Sequence, residues 1–164
     1  MSLHEWRHDS DRRLITYHGD IEDENPKRKT WNVGHHWAAN RYDLVYKDNL
    51  IDCYGEVCQT DTDIDSWEIK TCHVDGAFLL KRRQHRVLHS MDGGYILVLL
   101  KELNRSSRVW MVEDVIFTRA EEVDRCISGW NKNPSRFYQQ SWLNPYECSQ
   151  YLWRDDFEKV DMVG

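Results

Sequence analysis

Glu68 and Lys70 stand two residues apart in the run Trp67-Glu68-Ile69-Lys70-Thr71-Cys72. Side chains alternate faces along a strand, so a strand here would put Trp67, Ile69 and Thr71 on one face and Glu68, Lys70 and Cys72 on the other. A carboxylate and an ammonium would then project side by side. Asp52, Asp61, Asp63 and Asp65 lie just upstream. A carboxylate-rich approach to such a strand suits a divalent cation and a phosphodiester. Carboxylates offer hard oxygen donors to the ion, and the ammonium offsets negative charge that builds on phosphate oxygens.

Other elements must hold this strand in place. Trp37, Ala38, Arg41 and Tyr42 fall at helical spacing, which predicts a short helix over 36–42. Residues 50–58 predict a strand or hairpin arm containing Gly55, and 61–66 a polar turn before Trp67. Leu80, Gln84, Val87, Leu88 and Met91 recur as one face of a helix over 80–91, with Lys81, Arg82, His85, Arg86 and His89 opposite. Gly93-Gly94 is a helix stop, and Tyr95-Ile96-Leu97-Val98-Leu99-Leu100 has no polar alternation, so it predicts a strand buried on both faces. Residues 108–112 predict a further strand and 121–127 a short helix. The charged block Glu22 to Lys29 around Pro26 reads as part of a solvated N-terminal extension, and the segment from Trp130 onward carries only weak periodicity.

Composition narrows the classes. A chain of 164 residues suits one domain. The net charge of -6, from 22 Lys and Arg against 28 Asp and Glu, argues against non-specific coating of nucleic acid, which needs concentrated positive charge. Lys81, Arg82, Arg83 and Arg86 form the local exception, a basic cluster suited to a phosphate backbone. Eight Trp and eight Tyr point to a folded chain, and the tryptophans are expected as core anchors rather than base-stacking platforms. The longest apolar run is strand-length, and the N-terminus lacks the apolar core of a signal peptide, so no membrane association is expected. Five cysteines at irregular spacing predict reduced thiols and a cytoplasmic setting. A zinc site from Cys53, Cys58, Cys72 and His73 is the competing use of these side chains, but its spacing is loose.

Taken in order, Asp52, Glu68-Ile69-Lys70 and the inward Gln84, with the basic helix, the Gly-Gly stop and the apolar strand behind them, resemble the PD-(D/E)xK nuclease superfamily. This group includes type II restriction enzymes and archaeal Holliday-junction resolvases, and the resemblance spans residues 34–112. It implies an α/β fold with a restriction-endonuclease-like core: a central mixed four-stranded sheet, with strands near 50–58, 67–72, 95–100 and 108–112, flanked by helices. The chain would be a single nuclease-like domain, with a polar extension at 1–30, a catalytic core at 34–112 and a C-terminal elaboration at 113–164.

The resemblance further implies a divalent-metal-dependent DNA endonuclease using Mg²⁺ or Mn²⁺. Glu68 would be a metal ligand, the Ile69 main-chain carbonyl a further ligand, and Lys70 the catalytic lysine. Asp52, after the apolar pair Leu50-Ile51, has the usual setting of a carboxylate at a strand end; Asp63, Asp65 and Asp43 remain alternatives. Gln84 would orient Lys70 or a water. Family members often carry a glutamate on the first helix, where this chain has His35 and His36; His36 could bind Mn²⁺ or contact phosphate. DNA is the implied partner, and a homodimer would bring two sites to two strands. The rival reading is a catalytically inactive nuclease-fold module that binds nucleic acid or protein.

Overall fold

The apolar run after Gly93 is covered on both faces, and its period of two shows what covers each. Ile96, Val98 and Leu100 pack in a cluster with Trp37, Ala38, Tyr42 and Ile69, whereas Tyr95, Leu97 and Leu99 pack with Phe78, Leu80, Leu88, Ala120, Val123 and Leu143. A sheet with a layer on either side follows. The computed structural model describes residues 5–8, 14–18, 26–42, 47–50, 58–60, 67–104, 109–133, 138–148 and 153–154. Their order is β1 (Glu5–His8), β2 (Leu14–His18), α1 (Pro26–Arg41), β3 (Lys47–Leu50), β4 (Cys58–Thr60), β5 (Trp67–His73), β6 (Phe78–Lys81), α2 (Arg82–Ser90), β7 (Gly94–Asn104), β8 (Val109–Arg119), α3 (Ala120–Val123), β9 (Asn131–Lys132), β10 (Gln139–Leu143), a 3₁₀ turn at Pro145–Glu147, and β11 (Trp153–Arg154).

The principal sheet runs β1-β2-β8-β7-β5, and β11 joins it on β8. β5 and β7 are parallel while the other pairs are antiparallel, so the sheet is mixed as the resemblance implies. Parallel neighbours require a crossover, and here β6 and α2 supply it. β2 and β11 pair with different halves of β8, which extends the sheet to six strands. A three-stranded sheet, β6-β10-β9, and a two-stranded one, β3-β4, lie beside it.

Several elements differ from the sequence reading for identifiable reasons. α1 begins at Pro26, so the block from Pro26 to Lys29 opens a helix instead of lying in a loop. Proline is well tolerated at the first helical position, where its missing N–H would have no partner anyway. The polar N-terminal stretch contributes β1 and β2, anchored by the fully buried Ile15. Residues 78–81 are a strand, because Phe78 and Leu80 face the core while Leu79 and Lys81 do not; the helix starts only at Arg82. Of the expected strand at 50–58, the described ends fall in β3 and β4, which pair with each other. β8 continues to Arg119, and the helix expected over 121–127 is the short α3 followed by turns.

α1 crosses β5 closely at Gly34. A Cβ there would overlap the Thr71 hydroxyl and stand 2.9 Å from Thr71 Cβ. Gly34→Ala is therefore expected to cost about 1–3 kcal/mol by overpacking. Thr71→Ala in the same chain should recover much of that loss, as read from urea denaturation midpoints.

Candidate active site

Ile69 packs in the core cluster beneath α1, and Thr71 meets Gly34 of the same helix. Alternation therefore turns Glu68 and Lys70 to the opposite face, toward α2. Glu68 is buried, with 5% of its surface exposed. A carboxylate taken out of water needs compensation, and two groups provide it. Gln84, in the first turn of α2, donates from Nε2 to Glu68 Oε1 at 3.0 Å, and Lys70 Nζ lies 3.9 Å from the same oxygen. The crossover geometry explains why these meet: β6 returns the chain so that α2 starts above β5. Gln84 is itself buried, which is why periodicity grouped it with Leu80 and Leu88. Gln84→Leu would remove a buried hydrogen bond to a charged group, and should cost on the order of 1–3 kcal/mol by urea denaturation.

The other residues singled out from sequence fall in different places. Asp43, Asp52, Asp61, Asp63 and Asp65 lie outside the described residues. His36 is exposed on α1, the helix that covers the Ile69 face; its ring meets that of His35 edge-on at 6.1 Å, and partial desolvation lowers its pKa. Arg83 and Arg86 are exposed on α2, while Lys81 and Arg82 are half-buried beside β10, Arg82 donating to Gln139. Burial, reinforced by Asp75, pushes the Cys72 thiol up to about 12. Without a bound cation it is therefore a protonated thiol at neutral pH. The Cys53 and Cys58 side chains lie outside the described residues.

The chain as a whole now has a context. A sequence model of the PD-(D/E)XK nuclease superfamily domain matches residues 23–144, from just before α1 to the end of β10. The chain belongs to the PD-(D/E)XK nuclease superfamily. No curated protein and no solved structure matches it. For a PD-(D/E)XK fold, Glu68-Ile69-Lys70 on β5 has the residue types and spacing of the superfamily's acidic-x-Lys motif. Among the described residues no group of three or more His, Cys, Asp or Glu is arranged to hold a metal ion. What they do offer, the Glu68 carboxylate and the Ile69 main-chain carbonyl, are the hard oxygen donors that Mg²⁺ or Mn²⁺ takes. No helix of the described residues is long and apolar enough to cross a membrane.

Sequence periodicity missed His85. It was grouped with the polar face of α2, yet it is buried, its ring stacked on Tyr95 at 5.8 Å and tilted against Trp130 at 5.2 Å. His85 Nδ1 lies 2.8 Å from the Tyr95 hydroxyl and Nε2 lies 2.8 Å from Asp124 Oδ1. An ionised carboxylate only accepts, so in the neutral ring Nε2 carries the proton and Nδ1 accepts from Tyr95. Asp124 also receives His89, whose Nε2 is 3.4 Å from Oδ2. This network ties α2 to β7 and to the end of α3, one residue from Gln84. Tyr95 is also the register partner of Glu68. A histidine at i and i+4 from another, with an aspartate far along the chain, was the available signal, but only tertiary structure joins them.

Burial lowers the His85 pKa below 6.5, although Asp124 pulls it the other way and His89 adds to the lowering. The folded protein therefore favours the neutral ring. Below pH 6.5 the unfolded chain takes up a proton that the native state still refuses, so stability present above that pH is lost as pH falls through the native pKa. The urea midpoint should fall between about pH 7 and pH 5, with a shallower fall in His85→Gln. Equal slopes in the two proteins would remove His85 from the acid response.

Proposed function

We propose that this nuclease-fold chain is a divalent-metal-dependent endonuclease that hydrolyses DNA phosphodiester bonds. The observation that carries the reading is the buried Glu68 carboxylate held between the Gln84 amide and the Lys70 ammonium on one face of β5. Burying a charge costs desolvation free energy that an exposed ion pair avoids, and charges buried with specific partners cluster at functional sites.

Glu68 and the Ile69 carbonyl, with Asp52 as the second carboxylate and Asp63 or Asp65 in its place as the alternative, would hold Mg²⁺ or Mn²⁺. An ion bound there would supply Lewis-acid stabilisation of charge on the phosphate oxygens. Lys70 presents its ammonium to the same developing charge. Gln84 fixes the Glu68 carboxylate in one orientation, so little reorganisation remains for the reaction itself. Lys81 at the end of β6 and Arg82, Arg83 and Arg86 on α2 continue from the site as the contact to the DNA backbone, and His36 is a further candidate for phosphate. The chain acts in this reading as one nuclease-like domain, in the cytoplasm, with a homodimer as the arrangement that cuts both strands.

One departure supports a second reading, an inactive module that binds nucleic acid or protein: the helix position where the superfamily often carries glutamate holds histidines, His35 buried and His36 exposed. Incubating the protein with supercoiled, linear, single-stranded and branched DNA, with and without Mn²⁺, separates the two. Metal-dependent cleavage of at least one substrate supports the nuclease. Inertness on all of them, with DNA binding retained, supports the module.

A further inference from the structure

The outer face of the β6–β10 pair carries a side chain that core packing does not explain. The register pairs Lys81 with Gln140 and Leu79 with Trp142, while Leu80 faces Ser141 and Phe78 faces Leu143. Phe78, Leu80, Ser141 and Leu143 are buried, so Leu79, Lys81, Gln140 and Trp142 form the face turned outward. On it Trp142 is 58% exposed, the most exposed large apolar side chain among the described residues. Its surroundings are polar and basic. Lys81 Nζ stands 5.0 Å from the centre of the Tyr138 ring, and Asn133 donates to Gln140 Oε1 at 2.7 Å. Lys81 leads directly into α2, whose Arg83 and Arg86 are exposed and whose Gln84 holds Glu68.

We propose that this face binds unpaired bases of a nucleic acid, with Trp142 stacking on a base while Lys81, Arg83 and Arg86 face the phosphates on the way to Glu68. The inference rests on the nuclease reading and narrows it: the substrate has a single-stranded segment beside the scissile bond. Charge selects nucleic acid over a protein partner, since this is a concentrated basic region on a chain of net charge -6. A protein-docking surface would present a contiguous apolar patch, whereas on this face Trp142 is paired with one apolar residue, Leu79, and the next pair along is Lys81 with Gln140. Unpaired bases are favoured over duplex because a base inside a duplex already has both faces stacked and cannot meet an indole on an outer sheet face.

The test is fluorescence anisotropy with a labelled single-stranded DNA oligonucleotide and its duplex, in EDTA so that binding is read apart from cleavage. The full-length wild type, Trp142→Ala and Trp142→Phe are compared. Wild type should bind the single strand more tightly than the duplex. Trp142→Ala should weaken single-strand binding about tenfold and change duplex binding less than about twofold, and Trp142→Phe should stay close to wild type, since any aromatic ring can stack. Unchanged single-strand binding by Trp142→Ala overturns the proposal. So does an equal loss on both DNAs, or a fall in oligomeric state by sedimentation with single-strand binding intact, which would make this face a protein interface. Cleavage assayed separately with Mn²⁺ keeps the two readings distinct: an inert wild type that shows the single-strand effect fails the nuclease reading and retains the platform.

Discussion

Glu68→Gln should lose metal-dependent DNA cleavage by at least about 10²- to 10³-fold while its stability stays level or rises, the range being that for removing one group aimed at transition-state charge. The two halves of this result have one physical origin. Glu68 is a buried carboxylate whose cost is offset by the Gln84 hydrogen bond and the Lys70 ammonium at 3.9 Å. Glutamine keeps the shape and an oxygen that can accept from Gln84 Nε2, but brings no charge to be desolvated. If the site existed only to stabilise the fold, removing the carboxylate's charge would leave Lys70 without that partner and lower stability. If it exists to hold a cation, the same change should relieve an unfavourable burial and abolish function. Urea denaturation and a plasmid-nicking time course on one preparation of Glu68→Gln report both. A variant that unfolds more easily yet cleaves normally would reverse the assignment.

The largest expected loss of stability comes from Gly94→Ala, at about 3 kcal/mol, the upper part of the usual range for overpacking. A Cβ there would overlap the Thr118 carbonyl oxygen and stand 2.8 Å from Trp67 Cζ3 and 3.0 Å from Arg119 Cα. Two of these three neighbours are backbone and cannot rotate away. The third has little room, because the Trp67 ring meets Phe117 edge-on at 5.6 Å and carries the Arg119 guanidinium 4.9 Å above it. Gly34→Ala differs in that all its close neighbours belong to one side chain, Thr71. Gly94 also opens the β5–β7 ladder, one register step before Glu68 and Tyr95. Forcing the strands apart there should lower cleavage as well as stability. A loss below about 1 kcal/mol would mean that the sheet end yields more than its packing suggests.

The parts of this molecule legible in sequence were those set by short-range periodicity. Alternation along 67–72 put Glu68 and Lys70 on one face, the unbroken apolar run at 95–100 marked the sheet centre, and helical spacing turned Gln84 inward. What escaped depends on partners distant in the chain or on rules that charge obscures. β1 and β2 lie in a stretch whose polarity masks the buried Ile15, and they become strands because β8 offers an edge. The helix start at Pro26 was hidden inside a charged block. His85 reads as one more polar residue beside Arg86 until Tyr95 and Asp124 are brought to it. Trp142 was counted among the core anchors, and only the β6–β10 register turns it outward.

Conversion of supercoiled DNA to nicked circles in Mn²⁺, followed over time for the wild type and Lys70→Ala side by side, tests the central claim most directly. The wild type should nick the DNA, and the folded Lys70→Ala protein should be slower by about 10²-fold or more, because in the proposed reaction the ammonium beside Glu68 is the charge that meets the phosphate. Cleavage by Lys70→Ala at the wild-type rate would contradict the account.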